Sequence, residues 1–505
     1  MNVAWWQTAV FYQIYPRSFA DSNGDGVGDL EGIRRRLDHL SWLGINAVWL
    51  SPFYPSPMAD FGYDVADYCN VDPLFGTLDD FDRLLVEAHQ RNIRVIIDWV
   101  PNHTSDQHPW FTESRSSRDG PKRDWYIWRD GTPDVPPNNW RRAFGQGPAW
   151  TWDDHTEAWY LHLFLPQQPD LNWMNPEVIS AMHSTLRFWL DRGVDGFRMD
   201  VVHAIGKGRD LPDYPEAAGT HRMLDVDRRS QQLIGGFRAL LDSYPGERMM
   251  VGEVYILDTK RVATFCAPGL LNLAFNFLPL WAPWEPEAWR LQMDAMYAEM
   301  DSVGGWPTWV LSSHDAPRHR TRYGSEARAR AAAVLLLTQR GTPFLYQGEE
   351  LGLENAVVPP ERVVDPGGRD GCRAPIPWDA AVTHGWPAEP WLPWPPEPDV
   401  RNVATLREDT GSILRLYRRL LDARRRSSAL QCGGFDWLPS PDGALAYMRT
   451  SDSERRAVIV NFSDSAVDVP VEGTWRIEIS SDEGGEGIPY AGEVGPSGAL
   501  VLRPA

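Results

Sequence analysis

Short apolar runs alternate with longer helix-like stretches along most of this chain, and this alternation restricts the possible folds more than any other feature. Eight strand-like runs lie at 9–16, 45–52, 93–100, 194–200, 248–253, 271–277, 307–315 and 342–348. The helix-like stretches, with apolar residues at i, i+3 and i+4, include 31–44, 78–92, 177–193 and 325–341. Strands that are apolar throughout and alternate with helices indicate a parallel sheet buried on both faces. Eight such units predict an α/β fold, a closed (β/α)8 TIM barrel.

Two segments depart from this repeat. The stretch between the third and fourth runs is far longer than one βα unit needs and is rich in Trp, Pro, Asn and Asp, which predicts a small inserted domain. Near the end of the chain, short strands alternate in the manner of an antiparallel β-sandwich domain. The predicted domains are the first part of the barrel at 1–103, the insertion at 104–173, the second part of the barrel at 174–430, and the C-terminal β domain at 431–505.

Charge and composition exclude several classes of function. A net charge of −20 opposes binding to nucleic acid or to an anionic membrane surface. Four widely spaced cysteines without a CxxC pair argue against disulfides or a zinc finger, and no GxGxxG motif indicates an organic cofactor. Neither a signal peptide nor an apolar run long enough to span a membrane is visible, so we expect a cytoplasmic protein, either a monomer or a weak homo-oligomer. The 25 tryptophans are expected to build the scaffold around a site rather than to contact its ligand.

Charged and imidazole side chains stand at or just beyond the ends of four of the runs. They are Asp98, His103, Arg198, Asp200, Glu253, His314 and Asp315. The strands of a barrel end at one face, so the acids Asp200, Glu253 and Asp315 are expected to converge there. Any one of them could instead cap a following helix, but three buried acids together indicate a shared use.

Glycosidic cleavage requires such carboxylates. One attacks the anomeric carbon and a second donates a proton to the leaving oxygen, at a separation of about 5–5.5 Å when configuration is retained. Arg198, two residues before Asp200 on the same strand face, is expected to lower the pKa of that acid. A third carboxylate would stabilise the positive charge of the transition state.

Six segments in order along the chain resemble glycoside hydrolase family 13, the α-amylase family, and within it the α-glucosidase and oligo-1,6-glucosidase group. They are DWVPNH at 98–103, QPDLN at 168–172, GFRMD at 196–200, GEV at 252–254, SHD at 313–315 and GTPFLYQGEE at 341–350. The resemblance implies that Asp200 is the nucleophile, Glu253 the general acid/base and Asp315 the transition-state stabiliser. One position departs from the family pattern, because Ser313 stands where Asn is usual; we expect this change to tune the site without loss of activity.

The same resemblance implies a pocket for the terminal glucose. Its implied substrate-binding residues are Asp60, Tyr63, His103, Phe144, Phe164, Arg198, Val201, His314 and Arg373. Other readings stay open for some of them: Tyr63 could simply pack, and the two phenylalanines could form the core of the inserted domain. Asp60 and Arg373 could form an ion pair across the mouth, and His203 is interpreted as structural.

The segment 21–29, DSNGDGVGD, resembles the first part of an EF-hand loop. Its potential ligands are Asp21, Asn23, Asp25, the Val27 carbonyl and Asp29, while Gly32 stands where the bidentate glutamate would be. The family resemblance favours a structural Ca²⁺, with Mg²⁺ as an alternative, and a polar Asx turn without metal is the other interpretation.

These observations predict an exo-acting, retaining α-glucosidase that releases glucose from short oligosaccharides or α-glucosides. Val201, directly after the nucleophile, is typical of α-1,6 cleavage in similar enzymes, but the surrounding residues leave α-1,4 cleavage open. A transglucosylase or a sucrose isomerase would use the same intermediate, although 316–324 does not match the RLDRD-type loop of sucrose isomerases. A non-catalytic relative, such as an amino-acid transporter heavy chain, fits poorly because all three acids are present.

Overall fold

A computed structural model describes residues 3–214, 227–482 and 484–505. Its central sheet has eight parallel strands: β1 (Phe11–Ile14), β2 (Ala47–Leu50), β3 (Arg94–Trp99), β4 (Gly196–Met199), β5 (Met249–Gly252), β6 (Leu273–Ala274), β7 (Thr308–Val310) and β8 (Thr342–Tyr346). Their order is β7-β8-β1-β2-β3-β4-β5-β6, and the Thr308 hydroxyl on β7 donates to the Ala274 carbonyl on β6 at 2.5 Å. The predicted eight-stranded barrel is confirmed.

Helices surround these strands. The α-helices are Trp5–Thr8, Leu30–Arg35, Leu37–Leu43, Leu78–Gln90, Pro109–Ser116, Pro176–Arg192, Asp227–Asp242, Thr259–Thr264, Leu278–Trp281, Pro286–Val303, His319–Tyr323, Glu326–Thr338, Val403–Glu408, Ile413–Arg426 and Ser428–Cys432. The 3₁₀ turns are Pro16–Ser18, Arg123–Trp125, Val202–Ala204, Pro360–Arg362 and Asp370–Arg373. The stretch 31–44, predicted as one helix, is divided at Arg36, whose backbone leaves the helical region and whose guanidinium lies 4.2 Å from the ring centre of Trp378.

The core follows from the sequence of the strands. All residues of β1, β2, β4, β5 and β8 are buried, and β3 is exposed only at its first residue. Helix residues pack against the outside of the barrel through large apolar side chains such as Trp189 and Met293. Since both faces of the strands are covered, the runs carry no polar alternation, as expected for a parallel sheet.

Two further sheets lie outside the barrel. Between β3 and β4, the strands Trp128–Arg129, Ala158–Leu161 and Trp150–Asp153 form a three-stranded antiparallel sheet within the segment predicted as an insertion. The C-terminal part has a five-stranded antiparallel sheet in the order Gly434–Trp437, Ala444–Thr450, Arg455–Asn461, Ala499–Pro504 and Trp475–Ser480. A two-stranded sheet of Val467–Asp468 and Glu493–Val494 accompanies it, and the predicted C-terminal β domain is confirmed. Across the described ranges, no helix is long and apolar enough to cross a membrane.

Candidate active site

Arg198 on β4 lies at the centre of three carboxylates. One guanidinium nitrogen, Nη1, lies 2.8 Å from Asp98 Oδ1 and 2.6 Å from Asp200 Oδ1, and the other, Nη2, lies 2.6 Å from Glu253 Oε2. The register of the sheet produces this grouping. Asp98 on β3 is paired with Arg198 on β4, and Met199 on β4 is paired with Gly252 on β5, so Asp200 and Glu253 follow their strands at the same height in the barrel. The Asp200 amide donates to the Trp99 carbonyl and the Glu253 amide to the Met199 carbonyl, which fixes where the two acids leave their strands.

Three carboxylates share one guanidinium, and this imbalance affects their protonation. Burial raises the pKa of Asp200 well above its usual range; Arg198 opposes this rise, and the carboxylates of Glu253 and Asp98 add to it. The pKa of Asp98 is raised to about 6, again mainly by burial. Arg198 lowers the pKa of Asp200, as expected, but desolvation and two neighbouring acids outweigh this one arginine, so the net shift is upward.

Asp200 and Glu253 form a close pair. The carboxylate of Glu253 is among the causes that raise the pKa of Asp200, and both acids lie 2.6 Å from nitrogens of Arg198. Glu253 also accepts from the Val201 amide at 3.2 Å. Val201 has a φ of 43°, a left-handed conformation that is strained for a β-branched residue, and it begins the 3₁₀ turn Val202–Ala204. This sharp turn carries the chain away from β4 directly after Asp200.

The end of β7 supplies His314 and Asp315. The His314 ring lies between the Gln13 amide, 2.7 Å from Nδ1, and the Tyr63 hydroxyl, 2.6 Å from Nε2. Burial lowers the pKa of His314 to about 3, so the imidazole is neutral at physiological pH. Ser313, which replaces the usual Asn, accepts a hydrogen bond from the Asp315 amide at 3.2 Å and so holds the backbone at this acid.

Arg369, in the segment after β8, is a site residue that sequence reasoning missed. It contacts Asp60 at 2.6 Å, Asp315 at 2.9 Å and Asp365 at 2.7 Å, and its guanidinium lies 4.5 Å from the ring centre of Phe144. Burial alone would raise the pKa of Asp315, but the neighbouring imidazole and three guanidiniums outweigh burial and hold that pKa well below its usual range. Arg369 therefore connects the segments that follow β2, β7 and β8.

The suggested ion pair between Asp60 and Arg373 is wrong, because Asp60 pairs with Arg369. Arg373 is fully buried and donates to the His314 carbonyl at 2.9 Å, and it lies 3.2 Å from Asp365 and 3.3 Å from Asp315. Both arginines belong to the segment RDGCR at 369–373, and this segment is the sequence feature that could have indicated Arg369 as a site residue. Nothing in that pattern tells which of the two reaches Asp60.

His103 and Gln168 form a second wall. The Gln168 amide nitrogen lies 3.1 Å from Asp60 Oδ2 and 3.0 Å from His103 Nε2. Burial lowers the pKa of His103 to about 3, so this imidazole is also neutral at physiological pH. The wall thus offers uncharged hydrogen-bonding groups beside the buried carboxylate of Asp60.

These side chains enclose a cavity of about 290 Å³. Among the residues that sequence reasoning placed in the site, its lining includes Asp60, Tyr63, His103, Phe144, Phe164, Asp200, Val201, Glu253 and Asp315. Arg198, His314 and Arg373 lie outside this lining and contact residues that belong to it. Residues that the sequence did not indicate also line it, namely Arg141, Ala143, Leu163, His203, Ala204, Tyr255, Gly367 and Arg369.

Three residues interpreted with alternatives face the cavity. His203, interpreted as structural, is part of the lining, and its Nδ1 lies 3.2 Å from the Glu253 carbonyl. Phe144 and Phe164 both face the cavity, with ring centres 5.7 Å apart. The described lining contains no tryptophan, in keeping with the expected scaffold role of those residues.

The loop at 21–29 folds as consecutive Asx turns. Asp21 accepts from the amides of Asn23 and Gly24, Asn23 from the amide of Asp25, and Asp25 from the amide of Val27. Asp29 caps the helix Leu30–Arg35 by accepting from the Gly32 amide at 2.6 Å. In the described part of the chain, no group of three or more His, Cys, Asp or Glu side chains is placed to hold a metal ion.

Comparison with known proteins gives consistent matches. The family model described as "Alpha amylase, catalytic domain" matches residues 13–433. A probable α-glucosidase of Rhizobium meliloti is 42% identical over 92% of this chain and 90% of its own length. An oligo-1,6-glucosidase of Parageobacillus thermoglucosidasius is 39% identical over 92% of this chain and 91% of its own length. The crystal structure of the α-glucosyl transfer enzyme XgtA is 40% identical, with a TM-score of 0.92 and full coverage of both chains.

Proposed function

This chain belongs to the α-amylase family of glycoside hydrolases, and we propose that it is an exo-acting, retaining α-glucosidase acting on short oligosaccharides or α-glucosides. The observation that carries this proposal is the single guanidinium of Arg198 holding Asp200 and Glu253 at one cavity, with Asp315 on the same lining. Two carboxyls held by one guanidinium suit the double displacement of a retaining enzyme, which needs a nucleophile and an acid on neighbouring strand ends.

In the first step, Asp200 attacks the anomeric carbon and Glu253 gives its proton to the departing oxygen. Burial and the neighbouring carboxylates raise the pKa of Asp200, and the charge of Arg198 beside it favours the ionised form. This step requires Asp200 to be ionised and Glu253 to carry the proton. In the second step, Glu253 takes a proton from water, the water oxygen bonds to the anomeric carbon, and Asp200 is released.

Asp315 has a different role. Its carboxylate stays ionised because Arg369 and Arg373 lower its pKa, so it offers a fixed negative charge to the oxocarbenium-like transition state. It differs from Asp200 in this respect, since the two acids experience opposite balances of burial and positive charge. The environment of Asp315 thus suits electrostatic stabilisation, whereas Asp200 serves as the nucleophile.

The exo action follows from the small size of the cavity. Arg369 joins Asp60 to Asp315, and Gln168 contacts Asp60 from the other side. A cavity of about 290 Å³ with these groups on its walls suits a single terminal sugar ring rather than a chain passing through. Asp60 and the neutral imidazole of His103 would accept and donate hydrogen bonds to glucose hydroxyls.

Product analysis tests this function. The purified protein is incubated with maltose, isomaltose, sucrose and trehalose at low and high concentration, and products are separated by chromatography. We expect glucose to be released from one end and to appear first as the α anomer. Initial release of β-glucose, or of internal fragments from longer chains, would contradict the proposal.

The linkage preference is proposed to favour α-1,6 bonds. Val201 follows the nucleophile and lines the cavity, and one of the similar proteins is an oligo-1,6-glucosidase. Its backbone amide donates a hydrogen bond to Glu253, the acid that protonates the leaving group in this mechanism. Relative rates on isomaltose and maltose measure this preference directly.

Glucosyl transfer is a second candidate activity, favoured by the similarity to XgtA, an α-glucosyl transfer enzyme. Transfer requires only that a sugar hydroxyl replace water in the second step, so no catalytic residue would differ. In the product analysis, an excess of new oligosaccharides over glucose at high substrate concentration identifies transfer as the main reaction.

We further propose that the loop 21–29 binds Ca²⁺ with a structural role. Asp21, Asn23, Asp25, Asp29 and the Val27 carbonyl would hold the ion, since all are oxygen donors of the kind that Ca²⁺ prefers. The ion would screen three carboxylates that lie within nine residues. Thermal unfolding with added Ca²⁺, added Mg²⁺ and a chelator tests this, with Asp25→Asn as the variant that should lose the response.

A further inference from the structure

A second cleft lies between the helices Leu37–Leu43 and Ile413–Arg426. Four arginines on its wall, Arg415, Arg418, Arg419 and Arg425, face Trp42 and a single acid, Asp422, across a volume of about 440 Å³. The cleft adjoins Gly44, three residues before β2, and so lies at the opposite end of that strand from the active site.

The charges on this wall are not balanced. Asp422 is already shared by Arg425 at 2.8 Å and by Arg426 at 2.7 Å, and Arg419 pairs with Glu486 at 3.1 Å. Within the described ranges, neither Arg415 nor Arg418 has a carboxylate in ion-pair distance. A local excess of positive charge in a protein of net charge −20 is an unusual feature that an anion would relieve.

The arginines are also held in place before any ligand arrives. The guanidiniums of Arg407 and Arg418 lie 4.2 and 4.3 Å from the ring centre of Trp42, and that of Arg415 lies at 5.3 Å. Arg418 donates to the Trp42 carbonyl at 2.5 Å, while the buried Nε of Arg415 has no hydrogen-bond partner among the described residues. Burial, with the charges of Arg415 and Arg407, lowers the pKa of Arg418.

We propose that this cleft binds the phosphate group of a small phosphorylated metabolite. Guanidinium groups recognise phosphate through paired N–H donors, and several of them together favour a dianion with three free oxygens over a single carboxylate. The volume exceeds what a phosphate ion alone requires, and the Thr410 side of the cleft offers surface for the remainder of the molecule. Inorganic phosphate and a sugar phosphate present the same recognised group.

Isothermal titration calorimetry of the full-length protein tests the proposal. The probes are inorganic phosphate and glucose 6-phosphate at low ionic strength, with glucose and sodium chloride as the uncharged and monovalent controls. We expect saturable binding of the phosphate-bearing probes, at least tenfold weaker in Arg415→Gln and in Arg418→Gln. Arg83→Gln is the matched control, because this exposed arginine carries the same charge, lies on another helix and contacts no residue of the cleft wall.

The outcomes separate clearly. No saturable binding of either phosphate probe to the wild type would overturn the proposal, and so would an equal loss of affinity in Arg83→Gln, which would indicate unspecific charge attraction. Tighter binding of glucose 6-phosphate than of phosphate would assign the rest of the cleft to the sugar. If a glutamine variant fails to fold by circular dichroism, Arg415→Lys decides, since it keeps the charge and loses the paired donors; unchanged affinity in that variant would count against the proposal.

Discussion

Replacing Arg369 by glutamine tests the role of the residue that the sequence did not indicate. The change removes the contacts of Arg369 with three acids, but these acids differ in the partners that remain to them. Asp365 keeps Arg373 at 3.2 Å, and Asp315 keeps Arg373 at 3.3 Å. Asp60 loses its ion-pair partner and keeps only the Gln168 amide among its hydrogen-bond donors from side chains in the described structure.

The expected magnitude follows from this single loss. Asp60 is buried, and a charge-assisted hydrogen bond to a buried carboxylate contributes roughly 1.5–3 kcal/mol. If that energy supports glucose binding in the transition state, kcat/KM falls roughly 10- to 150-fold. Burial already raises the pKa of Asp60 against the charge of Arg369. Without that charge the pKa rises further, so the acidic side of the pH profile of kcat/KM moves to higher pH.

The assay is the pH dependence of kcat and KM on a chromogenic aryl α-glucoside for wild type and Arg369→Gln. Arg362→Gln is the control, because this arginine lies nearby in the chain but pairs with the exposed Glu389, an interaction that contributes little. We expect the control to change kcat/KM less than about twofold. An Arg369→Gln variant with wild-type kcat/KM and an unmoved pH profile would refute the argument that Arg369 keeps Asp60 ionised.

Other predictions concern the remaining parts of the molecule. Asp200→Asn should abolish turnover while the melting curve stays that of a folded protein; hydrolysis at the wild-type rate would exclude Asp200 as the nucleophile. Val201→Thr should lower the ratio of isomaltose to maltose hydrolysis, and an unchanged ratio in steady-state kinetics would remove the linkage argument. A chelator should lower the melting temperature before it alters kcat or KM, whereas the reverse order would place the ion in the active site. Burial lowers the pKa of His103 and His314 to about 3, so the unfolded chain takes up protons there as pH falls below about 6.5 and the folded protein does not. The raised pKa values of Asp98 and Asp200 act in the opposite direction over this interval, so the wild type is compared with His103→Gln. The melting temperature of the wild type should fall more than that of this variant from pH 7 to pH 5, and an equal fall in both would contradict the assignment of a neutral His103.

The barrel was predictable because the sequence features that specify it lie within short segments of the chain. Each strand is apolar along its whole length, and each motif acid stands where a strand ends, as with Asp200 after β4 and Glu253 after β5. Strand ends of a barrel share one face, so convergence of the acids required no knowledge of distant contacts.

The features that could not be predicted from the sequence depend on contacts between residues far apart in the chain. The ion pair of Arg369 with Asp60 joins positions separated by 309 residues, and the local pattern does not distinguish Arg369 from Arg373. The division of the helix at Arg36 accompanies a contact with Trp378, equally remote in sequence. The raised pKa of Asp200 also could not be predicted. The neighbouring Arg198 is visible in the sequence, whereas the burial that raises this pKa is not.

Trapping the covalent intermediate tests the proposed mechanism most directly. The Glu253→Gln variant is mixed with α-glucosyl fluoride, whose leaving group needs no acid, so glucosylation proceeds while the missing base slows hydrolysis of the intermediate. We expect the intact protein to gain the mass of one glucosyl residue, and peptide mapping to place that residue on Asp200. A glucosyl group on any other side chain would contradict the account, as would the absence of an adduct together with release of β-glucose by the wild-type enzyme.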